Sequence, residues 1–260
     1  MLSPAIGVAL TWLLLLTLLI LELGAWLQYQ TETERWRERI GYFSLGAGTI
    51  SLIWLGIQRV HIPPLSLDEL LLLLAMFMLG IYLRINRLSK IANGFRCVGL
   101  LLTTILVTIS LITTFFSNPY EGLEPLWIWA LIGRWLVLAG IAILNWNVVI
   151  TGLQWLGEKI DDKTWQARLA VESEVMAGLN QQLRGWSVLL IMLGGVMVMT
   201  RDLWGWGDRT PRMMLLIILQ LVLIAGWWLR FTYPFRSLWN LIILLLALII
   251  TGPLLATLVA

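Results

Sequence analysis

The chain has 260 residues, of which 59% are hydrophobic and only 13% charged. Its mean hydropathy of +0.86 is well above what water-soluble domains of this size carry, so a soluble single domain is excluded. One cysteine, Cys97, rules out an internal disulfide framework or a thiolate metal cluster, and one histidine, His61, rules out a multi-histidine metal site. The net charge of +3 comes from fifteen Arg and three Lys gathered between apolar stretches, which is the placement membrane orientation demands and not a nucleic-acid footprint.

Each apolar stretch is close to twenty residues long, and at about 1.5 Å per helical residue this matches a hydrocarbon layer about 30 Å thick. The pattern predicts an all-α, polytopic integral membrane bundle of eight transmembrane helices, at residues 4–27, 40–57, 67–84, 97–116, 126–156, 185–200, 213–231 and 237–259. The first run follows Met1 without a basic n-region or a small-residue cleavage pattern and reads as a retained helix. The fifth run is long, so that it tilts or continues past the membrane surface, and the sixth is short. No internal repeat and no Gly-Ser or Pro-rich linker divides the chain, which reads as a single transmembrane domain over 1–260.

The connections give the orientation. Odd ones hold thirteen basic residues: Arg35, Arg37 and Arg39; Arg84, Arg87, Lys90 and Arg96; Lys159, Lys163, Arg168 and Arg184; Arg230 and Arg236. Even ones hold four, namely Arg59, Arg201, Arg209 and Arg212, and neither terminus adds one. The asymmetry puts the odd loops in the cytoplasm and both termini on the far side. The fifth connection is the longest. At about 157–184 it carries Trp165, Leu169, Met176, Leu179 and Leu183 at helical spacing among charges. It reads as a cytoplasmic amphipathic helix, lying on the membrane surface or packed against other loops.

Catalytic sets of the soluble type are not formed. His61 precedes Ile62, Pro63 and Pro64 in an external loop, and Cys97 falls on the opposite side, so no nucleophile meets a base. There is no phosphate-binding glycine loop and no cluster of intramembrane acids. The sequence leaves enzymatic activity open and reads more readily as a non-enzyme, with no catalytic residues and no metal ligands to name.

Two features point to binding. Arg134 sits about eight residues, or roughly 12 Å, into the fifth helix, a depth at which a cation needs a partner or a wet cavity. The candidates are Asp68 or Glu69, Asp202 or Asp208, an anionic ligand such as a carboxylate, or a purely structural ion pair. The second feature is the external sixth loop, Arg201-Asp202-Leu203-Trp204-Gly205-Trp206-Gly207-Asp208-Arg209-Thr210-Pro211-Arg212. Its tryptophans form either an aromatic face for a flat apolar ligand, with arginines to hold carboxylates, or part of the interfacial belt expected of a chain with sixteen Trp.

This loop resembles the tryptophan-rich loop of the cytochrome c assembly superfamily, which includes CcsA, CcmC and HemX-like membrane proteins and carries the form WG-x-x-W-x-W-D. Trp204-Gly205 followed by Trp206-Gly207-Asp208 looks like a contracted version. The layout is similar too, with about eight helices, a long cytoplasmic loop before the helix that enters the tryptophan loop, and two helices after it. The segment from Arg184, Gly185 and Trp186 to Gly194 and Gly195 resembles that entering helix. The resemblance implies a haem or other tetrapyrrole as ligand, contacted by Trp204, Trp206, Asp208, Arg134, Arg209 and Arg212. The family's haem-handling members use paired outer histidines as iron ligands, and here only His61 exists.

The resemblance thus implies a divergent, HemX-like assembly or regulatory factor without ligase activity. The alternative is a non-catalytic scaffold or accessory subunit of an energy-transducing membrane complex. The expected partners are the lipid bilayer and another membrane protein, with no nucleic acid, and the expected location is a bacterial inner membrane or a thylakoid or plastid membrane. In a Cys97→Ser background, a cysteine placed at Lys163 should stay unlabelled when a membrane-impermeant maleimide is added to intact cells; labelling from outside overturns the orientation.

Overall fold

The computed structural model describes residues 4–28, 34–59, 66–88, 93–116, 128–159, 173–203, 210–229 and 238–259. Among these all regular structure is helical: α1 (Pro4–Gln28), α2 (Glu34–Arg59), α3 (Leu67–Leu88), α4 (Asn93–Phe116), α5 (Ile128–Lys159), α6 (Ser173–Leu203), α7 (Thr210–Leu229) and α8 (Leu238–Val259). Each falls on one of the eight apolar stretches. Six are by themselves long and apolar enough to cross a membrane, which makes the chain a multi-pass helical membrane protein. The exceptions are α3, which carries Asp68 and Glu69 in its first turn, and α7, whose described apolar stretch is only Pro211–Gly226.

The helices form two compact units, α1–α4 and α5–α8. Within each, helices adjacent in sequence pack together and the first packs against the last, so both are closed rings of four. The packing seams follow a period near 3.5 residues. On α1 the buried positions are Ala5, Val8, Thr11, Leu15, Leu18, Glu22 and Ala25, while Ile6, Leu10, Leu13, Ile20 and Leu27 are exposed. On α8 the seam is Asn240, Leu244, Ala247, Thr251, Leu254 and Leu258. The outward faces are as apolar as the seams, as a lipid-facing surface requires. By contrast, α3 is buried on every face along residues 68–76.

Small residues bring helices close. On α5, Gly133 and Gly140 lie two turns apart and meet Gly194 and Ser187 of α6, also two turns apart. A Cβ on Gly194 would lie 2.5 Å from the carbonyl oxygen of Gly133 and 2.8 Å from the amide nitrogen of Val137. Both obstacles are backbone and cannot rotate away.

The sixth span was expected to be short, yet α6 has 31 residues, and its apolar part runs over Gly178–Thr200. In the sequence Arg184 marks the membrane surface; in the structure it is 4% exposed, so the apolar span continues beneath it. Of the segment at 157–184, residues 160–172 lie outside the described residues, and 173–184 is continuous with α6. Gly194→Ala should destabilise the detergent-solubilised protein by about 1–3 kcal/mol, because α5 and α6 must separate. Gly24→Ala, with nothing within 4 Å of its added Cβ, should be neutral or stabilising. Thermal unfolding followed by circular dichroism checks the pair, and equal midpoints would contradict the close-packing account.

Candidate functional site

Among the described residues of the first unit, the buried acids fall in two groups, Glu22 at one end of the ring and Asp68 with Glu69 at the other. At the end where α1 and α3 finish and α2 and α4 begin, Glu22 is fully buried. Arg37 on α2 donates from Nη1 to Glu22 Oε2 at 2.8 Å, and Tyr82 on α3 donates its hydroxyl to Glu22 Oε1. One carboxylate thus ties three helices. Arg96, 6% exposed on α4, and the buried Cys97 stand beside this group.

At the opposite end Arg59, the last residue of α2, reaches α3. Its Nη2 donates to Asp68 Oδ2 at 2.8 Å, and its Nη1 donates to Ser66 Oγ at 2.6 Å and to Asp68 Oδ1 and Glu69 Oε1, each at 3.1 Å. On α4, Thr114 donates to Asp68 Oδ2 at 3.2 Å and Ser110 to the Asp68 carbonyl at 2.8 Å. Asp68 therefore joins α2, α3 and α4. At the start of α3 the Ser66 amide donates to Glu69 Oε2 at 3.5 Å and the Ser66 carbonyl accepts the Leu70 amide, the carboxylate half of a capping box. The spacing Ser66-x-x-Glu69 and the nearby Arg59 were visible in the sequence as signals of this cluster.

The second unit buries cations. Arg134 in the second turn of α5 is 3% exposed and Arg212 in the first turn of α7 is 2% exposed. Both belong to the end of the unit where α6 finishes and the tryptophan loop follows. At its other end, Arg184 donates to Asn240 Oδ1 at 3.4 Å, and Asn180 donates to Thr151 Oγ1 at 3.0 Å. Arg184 and Asn240, with Leu223, Gly226, Ile243 and Leu244, line a small pocket.

Of the residues singled out from the sequence, Arg134 and Arg212 are described and both face the interior of their unit. Trp204, Trp206, Asp208 and Arg209 lie outside the described residues, as does His61. Two of the suggested partners for Arg134, Asp68 and Glu69, are engaged by Arg59. Among the described residues no three His, Cys, Asp or Glu side chains gather as a metal site. No family model matches the chain and no curated protein matches it.

The donor set can be tested against a haem. Buried arginines at the tryptophan-loop end suit propionate carboxylates, which guanidinium binds through two parallel hydrogen bonds. The iron is a different matter. The chain has a single imidazole, so it has no paired histidine ligands to offer. The chain's single imidazole does not fit bis-histidine iron ligation.

Proposed function

We propose that the chain is a membrane assembly or regulatory factor of the haem-handling kind found in cytochrome c biogenesis, without ligase activity. The observation that supports this reading is the burial of Arg134 and Arg212 at the end of the second unit that carries the tryptophan loop. In this proposal Trp204 and Trp206 offer flat aromatic contact, Arg134, Arg209 and Arg212 pair with carboxylates, and Asp208 orients the neighbouring arginines. With at most one imidazole available, a tetrapyrrole would be held through its periphery, more weakly than in a bis-histidine site. The odd connections would face the cytoplasm, and the tryptophan loop and both termini the far side, of a bacterial inner membrane or a thylakoid or plastid membrane.

A second reading, a non-catalytic scaffold or accessory subunit, is favoured by one observation. In the first unit the carboxylates of Glu22, Asp68 and Glu69 are all engaged in holding helices together. The two readings differ in what the tryptophan loop does. In the haem-handling reading, replacing Trp204 and Trp206 together by Ala abolishes pigment co-purification and cytochrome maturation while membrane insertion and yield stay unchanged. Absorbance in the Soret region of the detergent-purified protein and haem staining of membranes check this. A double mutant indistinguishable from wild type, or a colourless wild type that co-purifies with fixed partners, leaves the scaffold reading.

A further inference from the structure

In the second unit a buried cation borders a cavity. The small pocket between α6, α7 and α8 is lined by Arg184, Asn240, Leu223, Gly226, Ile243 and Leu244, so that two polar side chains face four apolar residues and no acid. Arg184 and Asn240 are buried, as are Leu223, Gly226 and Leu244. Ile243 alone is half-buried, and it forms the rim. The wall on α7 is a glycine that closes tightly on this rim, since a Cβ on Gly226 would lie 2.8 Å from Ile243 Cγ2.

The depth of this pocket is that of a lipid headgroup. The apolar stretches of α6 and α8 begin at Gly178 and Leu238, and that of α7 finishes at Gly226. Every lining residue falls within six positions, or about 9 Å, of one of these points. Side chains on a helix lean toward its N-terminus, so the guanidinium of Arg184 rises toward the surface, where it donates to Asn240 Oδ1 at 3.4 Å. Trp227, Trp228 and Trp239 stand at the same boundary, the level at which indole rings collect. Charge favours an anion as well. From Arg209 to Ala260 the chain has four arginines and no acid, and two of those arginines, Arg230 and Arg236, lie in the connection from α7 to α8. The acids around the fifth connection, Glu158, Asp161, Asp162, Glu172 and Glu174, are not among the lining residues. Helix dipoles add nothing net, because α5 and α7 finish at the end where α6 and α8 begin.

We propose that this pocket receives the phosphate of an anionic phospholipid, whose oxygens accept hydrogen bonds from Arg184 and from the side-chain amide of Asn240. Guanidinium and phosphate match in geometry, and basic pockets between membrane helices suit such headgroups. The acyl chains would lie on the outward face of α7 and α8, where Leu221, Ile224, Ile242 and Leu246 are exposed. The site is at the opposite end of the unit from the tryptophan loop and does not depend on the haem-handling reading.

The test uses the full chain purified in a neutral detergent. Its thermal midpoint is titrated with phosphatidylglycerol, with phosphatidylcholine, and with sodium phosphate against sodium chloride at equal ionic strength, while native mass spectrometry counts retained lipids. Saturable stabilisation and retained adducts with phosphatidylglycerol, and neither with phosphatidylcholine, are the expected result. Arg184→Gln should then raise the half-maximal phosphatidylglycerol concentration about tenfold, the fold-change expected from losing one charge-assisted hydrogen bond. Lys159→Gln, which removes an exposed cation at the same end of the unit, should leave it unchanged. Should Arg184→Gln not fold, Arg184→Lys serves, since it keeps the charge, loses the bidentate geometry and should weaken binding by a smaller factor. Equal responses to the two lipids overturn the proposal, as does stabilisation by sodium phosphate that matches the lipid's, which would make the ligand a free anion. An Arg184 variant that folds and responds like wild type overturns it too.

Discussion

A charge inside an apolar layer has to be answered by a partner, and for Glu22, Asp68 and Glu69 that partner sits on another helix. Glu22 receives Arg37 and Tyr82 and so joins α1, α2 and α3; Asp68 receives Arg59 and Thr114 and so joins α2, α3 and α4. The apolar side chains between these ends cannot specify the ring alone, because lipid tails accept them as readily as another helix does. The two carboxylates fix which helices are neighbours and at what depth. They also explain α3, which is buried all round and yet carries two acids in its first turn. Both acids are paired with Arg59 inside the ring and not exposed to lipid, which suits a membrane position.

The second unit solves the same problem differently. Here close approach through glycine, at Gly133 with Gly194 and at Gly140 with Ser187, brings α5 and α6 into the tightest contact. Its buried charges, Arg134, Arg184 and Arg212, are all cations among the described residues. Arg184 leans on an amide, Asn240, and not on a carboxylate.

Much of the architecture was legible because length and apolarity alone locate a membrane helix. What the sequence hid was the inward face. In a soluble helix apolar residues mark the interior, but on α1 both faces are apolar, and the interior is marked by Thr11 and Glu22 instead. The same inversion misplaced the start of α6, where Arg184 looked like a surface residue and is a buried one. Arg134 was legible by depth, since no surface position explains a cation there. The Arg59, Asp68 and Glu69 cluster was signalled by a capping-box spacing, but an acid at a helix start is so common that the pairing needed the fold to show it. The tryptophan loop stands on its sequence pattern, as Trp204 and Trp206 lie outside the described residues.

The central claim is that interhelical neutralisation of buried charge holds the first ring together. A double-mutant cycle on Glu22 and Arg37, read by thermal or denaturant unfolding in detergent, tests it most directly. Glu22→Gln alone should cost about 3–5 kcal/mol, because Arg37 is left as an uncompensated buried cation, and Glu22→Gln with Arg37→Met should recover at least half of that loss. Single and double variants whose effects simply add, each costing less than about 1 kcal/mol, would mean that the pair is incidental and that packing alone defines the ring.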